Sequence, residues 1–152
     1  MKNRATEQLI GGAIVFKEIR GNRVHFLLSK TEGGDWEIIK SIGRKGESSV
    51  RAAIRLTKEQ GSMNVTVIEE ASRATGVGTI NGKSMVFKYL FYVMVFKTGG
   101  EMIGFDTVSW FDYAAAIRKL KLKREQDALR SANKLIKVWK REQKEIEKSL
   151  QV

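Results

Sequence analysis

The stretch WEIIKSIGRKGESSVRAAIRLTKEQGSM, residues 36–63, carries the densest structural signal in the chain. It opens on a short apolar segment, Trp36 to Ile39, and passes into a basic, glycine-containing segment, Lys40 to Gly46, expected to be a loop. Ser48 or Ser49 then offers a hydroxyl to cap a helix running to about Gln60, and Gly61 is a suitable terminator. Val50, Ala53, Ile54 and Thr57 recur at helical spacing and are expected to form its inner face. Lys40, Arg44 and Lys45 thus precede a helix N-terminus, and Arg51 adds a cation in its first turns. Free N–H groups and a partial positive charge at such a place hold phosphate without a metal. A merely solvated basic loop is the competing reading of the same residues.

Outward from this segment the chain alternates β-rich runs and turns. Gly11 to Phe16 and Val24 to Leu28, joined at Gly21-Asn22, read as a hairpin. After the helix come Asn64 to Glu69, Ser72 to Val77 and an Asn81-Gly82 turn, a strong hairpin signal. Met85 to Phe96 is the most apolar run, and its β-branched and aromatic content predicts a central strand. Met102 to Trp110 is expected to be the last strand. From Phe111 the chain reads helical, with a short helix to about Leu122 and a long one to about Leu150. Leu129, Ala132, Ile136, Trp139, Gln143, Ile146 and Leu150 make a heptad-like stripe, suited to packing on the sheet or to pairing with another helix. Residues after Trp139 are too charged for a core, so a domain over 1–139 and a basic helical extension over 140–152 are expected.

Composition sets the outer bounds. One domain of 152 residues can bury a real core. No run approaches 18 apolar residues and the first ten are polar, so no membrane partner and no secretion are expected. With no Cys, disulfides and thiolate chemistry are excluded, which fits a cytoplasmic or virion-associated protein. The net charge of +11 suits solubility or a polyanionic partner. Residues 112–152 hold 12 Lys/Arg against 6 Asp/Glu, so the basic excess gathers at that end. Lys137, Lys140, Arg141 and Lys144 are the candidate contacts there for nucleic-acid phosphates or a protein partner. The single His25 makes no transition-metal site by itself. No G-x-S-x-G, G-x-G-x-x-G or P-loop pattern occurs.

Residues 36–63 resemble the Nudix box, G-x5-E-x7-R-E-U-x-E-E-x-G-U, where U is an apolar residue. Aligned without a gap, Glu47, Arg55, Glu59 and Met63 match, while Ser41 and Ser62 stand for the two glycines. Leu56 and Gln60 replace two of the three carboxylates of the helix. Gly46-Glu47-Ser48, the AAIR run of 52–55, Trp36 and Trp110 also sit where the family commonly has them. The resemblance spans roughly residues 10–138 and is strongest to the diadenosine tetraphosphate hydrolase-like branch. It implies an α/β fold, a Nudix-type α/β/α sandwich with a mixed β-sheet and a long C-terminal helix.

In that family the three carboxylates, one helical turn apart, hold Mg²⁺ or Mn²⁺, which bridge a diphosphate and activate water. Here the equivalent face reads Leu56, Glu59, Gln60, so its charge falls from near −3 to −1. Shifting the alignment by one residue still leaves a single Glu. Two readings follow from the resemblance. In one, the fold is a nucleotide-binding, nucleic-acid-binding or assembly module that needs no cofactor. In the other it is a divergent hydrolase of nucleoside diphosphate linkages using Mg²⁺ or Mn²⁺. Glu59 would then be the metal ligand, Glu47 its support and Arg55 the residue orienting it, with Glu69, Glu70, Glu101 or Asp106 rebuilding the site. Ion pairing of Glu47 and Glu59 with Arg51 and Arg55 is the architectural alternative.

Overall fold

The computed structural model describes residues 6–99, 104–105 and 107–151. In chain order the elements are β1 (Thr6–Ile19), β2 (Arg23–Lys30), β3 (Trp36–Glu37), β4 (Ile39–Ile42) and α1 (Ser49–Glu59). They continue with β5 (Met63–Ile80), β6 (Lys83–Gly99), β7 (Val108–Asp112), α2 (Tyr113–Lys119) and α3 (Lys123–Leu150). The seven strands form one sheet of order β3-β2-β1-β6-β5, with β4 added to β1 and β7 to β2. β1 and β6 run parallel and the other pairs antiparallel, which makes the sheet mixed.

Both hairpin turns fall where their residue types place them. Gly21 and Asn22 have φ of 78° and 60°, and Asn81 and Gly82 have φ of 52° and 77°. Two successive left-handed residues suit the twist of the flanking strands, and Asn and Gly tolerate that conformation best.

Alternation along the strands divides the core into two layers. Ile14, Phe16, Phe26, Leu28, Phe91, Val93 and Val95 face α2 and α3, where Leu120, Ala128, Leu129, Ala132 and Ile136 meet them. Ala13, Val15, Leu27, Ile39 and Met94 face α1, meeting Ala53 and Leu56. The result is an α/β/α sandwich with a long final helix, as the resemblance implies. The helix over 48–60 is present, capped by Ser48, whose hydroxyl accepts the Arg51 N–H.

Four expectations are corrected. Lys40 to Gly46 is not all loop: Lys40, Ser41 and Ile42 belong to β4 and pair with Gly12, Gly11 and Ile10. The two runs expected over 64–69 and 72–77 are one strand, β5, because bulges between Val67/Glu69 and Glu70/Ser72 disturb the alternation without ending the pairing. The inner face of α1 is rotated by about one residue: Ser49, Ala52, Ala53, Leu56 and Thr57 are buried, while Val50 and Ile54 are half-buried. The final strand begins at Val108, since Gly104, Phe105 and Thr107 of the expected run precede it, while Met102, Ile103 and Asp106 lie outside the described residues.

The α3 layer is fastened by a buried charge. Glu125, only 1% exposed, accepts the Ile38 N–H at 2.8 Å and the Lys40 ammonium at 2.7 Å. Lys40 also reaches Glu37 at 2.9 Å and the Ile38 carbonyl at 3.1 Å. Further along α3, Trp139 packs edge-on against Phe16 at 5.6 Å. Residues 141–150 are all exposed, so the helix runs past the sheet for about 15 Å at 1.5 Å per residue.

Removing one partner of a buried pair leaves an uncompensated charge. Lys40→Met is therefore expected to lower the unfolding free energy by about 3–5 kcal/mol. The double variant Lys40→Met/Glu125→Leu should recover much of that loss, and urea unfolding of the three proteins measures the coupling.

Candidate functional site

β4, the turn over residues 43–48 and α1 form a continuous frame on one face of the sheet. Gly46 turns the chain with φ of 75°, a conformation that favours glycine. Beside this turn Arg55 holds Glu47 in a fork, Nε to Oε2 at 2.9 Å and Nη2 to Oε1 at 3.0 Å. The same Nη2 donates to Ser41 Oγ at 3.2 Å and to the Ile42 carbonyl at 3.1 Å. Glu47 also accepts the Arg44 N–H at 2.9 Å. Arg55 thereby ties α1 to the end of β4, and Glu47 ties both to the turn.

Charge follows geometry. The hydrogen bonds from the Arg55 guanidinium, then from the Arg44 N–H, hold the Glu47 carboxyl down at about 2. The same pair pushes Arg55 up from its ordinary value. Glu59, at the far end of α1, has a side chain 54% exposed and lies 3.5 Å from Arg44 and 3.8 Å from Arg55. Arg55 therefore gathers Glu47 and Glu59 around it, whereas Arg51 joins no ion pair among the described residues.

The other face of α1 is apolar. Leu56 is 2% exposed and packs in the layer of Ala13, Val15, Leu27, Ile39, Met63 and Met94. The main chain of Gln60, whose side chain is exposed, meets the segment before β7: Gly104 donates its N–H to the Gln60 carbonyl at 3.0 Å. The approach leaves no room for a side chain, since a Cβ on Gly104 would stand 2.6 Å from Gln60 Cα. Phe105 then enters the same apolar layer. Helix α1 thus offers one outward carboxylate and one amide, with a leucine buried between its two ends.

The four basic residues expected around the loop are divided. Arg44 and Lys45 border an open groove of about 470 Å³ with Glu7, Gln8, Leu9 and Glu47. Arg51 is exposed in the first turn of α1. Lys40 points the other way, to the α3 side of the sheet, and is bound to Glu125 and Glu37. Of the other carboxylates considered as replacements, Glu70 is paired with Arg73 at 3.0 Å, and Glu101 and Asp106 lie outside the described residues. Lys137, Lys140, Arg141 and Lys144 all lie on α3, where Lys140 is anchored to the Asn22 carbonyl at 3.0 Å. A contact with no signature in the sequence is the Ser49–Tyr92 hydroxyl pair at 2.6 Å, which fastens α1 to β6.

No family model matches the sequence, and no curated protein matches it. Solved structures do. A C. elegans Ap4A hydrolase binary complex superposes with a TM-score of 0.64 at 21% identity, over 85% of this chain and 97% of that one. RenU, a Nudix hydrolase from M. smegmatis, gives 0.64 at 13% identity over 91% and 90% of the two chains. The Nudix domain of S. oneidensis NrtR, complexed with ADP ribose, gives 0.59 at 12% over 89% and 90%. The architecture is the Nudix fold. No helix among the described residues is long and apolar enough to cross a membrane.

The Glu47 carboxyl sits below its ordinary 4.5, at about 2, so its bonds stabilise the fold fully above pH 4.5. That contribution drains away as pH falls from 4.5 toward 2. Glu47→Gln is expected to be less stable than the parent at neutral pH and to show a flatter pH dependence across that window. Chemical unfolding at a series of pH values reads both.

Proposed function

We propose that this Nudix-fold protein is a binding module rather than a metal-dependent hydrolase. It would recognise nucleotide or nucleic-acid phosphates, with the basic end of α3 as a contact for nucleic acid or a protein partner. The burial of Leu56 is the observation that carries this reading. A divalent metal of the Mg²⁺ kind needs several anionic oxygens converging on one point. Where the family pattern puts the first of them, this chain has an apolar side chain 2% exposed among other apolar side chains. Glu59 is left alone, shared between Arg44 and Arg55, and Gln60 offers a neutral amide. The donor set does not fit the metal. Glu47 and Arg55 are joined to each other and to β4, which supports an architectural role for both. Lys45 and Arg51, by contrast, keep exposed side chains near the N-terminus of α1 with no ion pair among the described residues, while Arg44 stays exposed but reaches Glu59, and such a place attracts anions.

Without a metal clamp on developing charge, several orders of magnitude in rate are lost. Incubation with diadenosine tetraphosphate in Mg²⁺ or Mn²⁺ is expected to give turnover at the background level, unchanged by Glu59→Gln. Robust turnover abolished by that substitution would instead establish the divergent hydrolase, with Glu59 as metal ligand. Restoring carboxylates with Leu56→Glu/Gln60→Glu should raise Mg²⁺ affinity while lowering stability, because position 56 lies in the apolar layer.

Residues 141–150 are all exposed, so a chain truncated after Lys140 should keep its fold. It loses the cations Arg141, Lys144 and Lys148 and the exposed Ile146 and Leu150. If the tail contacts phosphates, the log–log salt dependence of oligonucleotide binding should become shallower by about 0.7–0.9 for each contact removed. If only self-association in sedimentation changes, the apolar stripe is the functional part. Unchanged binding and unchanged association would remove the tail from the proposal.

A further inference from the structure

We propose that a second cavity, on the face of the sheet opposite α1, binds a nucleoside phosphate. It lies between the start of β2, the β7–α2 junction and the middle of α3, and its volume of about 560 Å³ suits a small ligand. This inference rests on the reading that the chain binds phosphate esters, and it names a site for them that the Nudix-like segment does not contain.

Three cations line the cavity: Arg23 from β2, and Lys137 and Lys140 from α3. Among the described residues no carboxylate lies within ion-pair distance of Arg23 or Lys137. Lys140 is oriented by the Asn22 carbonyl at 3.0 Å, with Glu18 farther off at 3.9 Å. An ammonium has three N–H groups, so one hydrogen bond leaves donors for a ligand. The lining holds one carboxylate, Asp112, whose Oδ1 caps α2 by accepting the Ala115 N–H at 2.8 Å. Three lining cations against the committed Asp112 and the more distant Glu18 leave the site with an excess of positive charge, His25 of the lining being counted neutral.

The rest of the lining is not that of a bare anion site. Ile136, 2% exposed, gives an apolar floor, and Asn133 adds an amide. Tyr113 presents a half-buried ring, fixed edge-on to Phe26 at 6.4 Å. An aromatic ring and an amide over an apolar floor suit a heterocyclic base, and the cationic rim suits its phosphate. Inorganic phosphate would use the rim alone, and a nucleoside the floor alone.

Calorimetric titration of the full chain with adenosine monophosphate, adenosine and inorganic phosphate tests this. The nucleotide is expected to bind more tightly than either fragment. Arg23→Glu/Lys137→Glu should weaken it by about tenfold or more, and Arg23→Gln/Lys137→Gln by less, with circular dichroism unchanged. Lys83→Glu/Lys97→Glu, the same charge change at exposed positions away from both sites, should leave it unaffected, and Arg44→Glu/Lys45→Glu probes the α1 side in parallel. If only the Arg44/Lys45 pair weakens nucleotide binding, the cavity proposal is overturned while phosphate binding by the chain stands. Binding of phosphate as tight as that of the nucleotide, or of an oligonucleotide but not the nucleotide, also overturns it. If no phosphate ester binds at all, the underlying reading falls as well.

Discussion

Helix α1 lies against β1 so closely that no side chain fits between them at Gly11. A Cβ built there would stand 2.1 Å from the Ser49 carbonyl oxygen and 2.9 Å from the Ala53 nitrogen. On the other face of the same strand, a Cβ on Gly12 would meet the Phe91 ring at 2.4 Å. Two adjacent glycines, one toward each layer, thus let a helix backbone and an aromatic ring both approach β1. The rest follows from that seating. β1 pairs with β6 along one edge, and its other edge is divided between β4 over Ile10–Ala13 and β2 over Phe16–Ile19. The chain leaving β4 must climb from this edge onto the helix above Gly11. The turn at Gly46 and the Arg55–Glu47 fork make that climb.

Two charge clusters flank β4, one on each face of the sheet. Arg55 with Glu47 secures the α1 side, and Lys40 with Glu125 secures the α3 side. Both are hydrogen-bonded to main-chain groups as well as to each other, which offsets the desolvation of the charges. The acidic and basic side chains of residues 46–55 thus join β4, the turn and α1 into one unit. What remains for ligands near α1 is cationic, and the carboxylates there are already engaged.

Much of this was legible in the residue pattern. The Asn-Gly and Gly-Asn turns, the apolar run of β6 and the serine-capped helix each follow from local chemistry, and local chemistry survives folding. Most of the differences come from long-range pairing. The basic neighbours of Lys40 in sequence place it in the phosphate loop, whereas the fold turns it to the other face. Had residues 38–42 been read with period two, Ile38 and Lys40 would have shared a face, and the carboxylate they meet is 85 residues away. Glu125 itself left a signal: it lies three, four and seven residues before Ala128, Leu129 and Ala132, a charge on the buried stripe of α3. The bulges of β5 and the docking of Gly104 on Gln60 have no comparable signature, since both depend on where the partner strand or helix happens to lie.

Loss of carboxylates affects binding and catalysis unequally, and this asymmetry makes a Nudix fold without its metal set a usable binding scaffold. Binding a phosphate ester requires only that ground-state charge be met by donors, and those donors can be spread over a surface. A helix N-terminus supplies roughly 0.3–1 kcal/mol toward that end. A hydrogen bond to a charged group supplies about 1.5–3 kcal/mol, so a few such contacts reach useful affinity. Catalysis needs charge stabilisation that is stronger in the transition state than in the ground state, concentrated where the new charge develops. A cluster of carboxylates holding a metal provides that concentration, and dispersed lysines and arginines do not. Removing carboxylates also removes their repulsion of the substrate's own phosphates. In the proposed binding role, Leu56 and Gln60 at carboxylate positions would take away rate while leaving, or improving, the attraction of a chain of net charge +11 for polyanions.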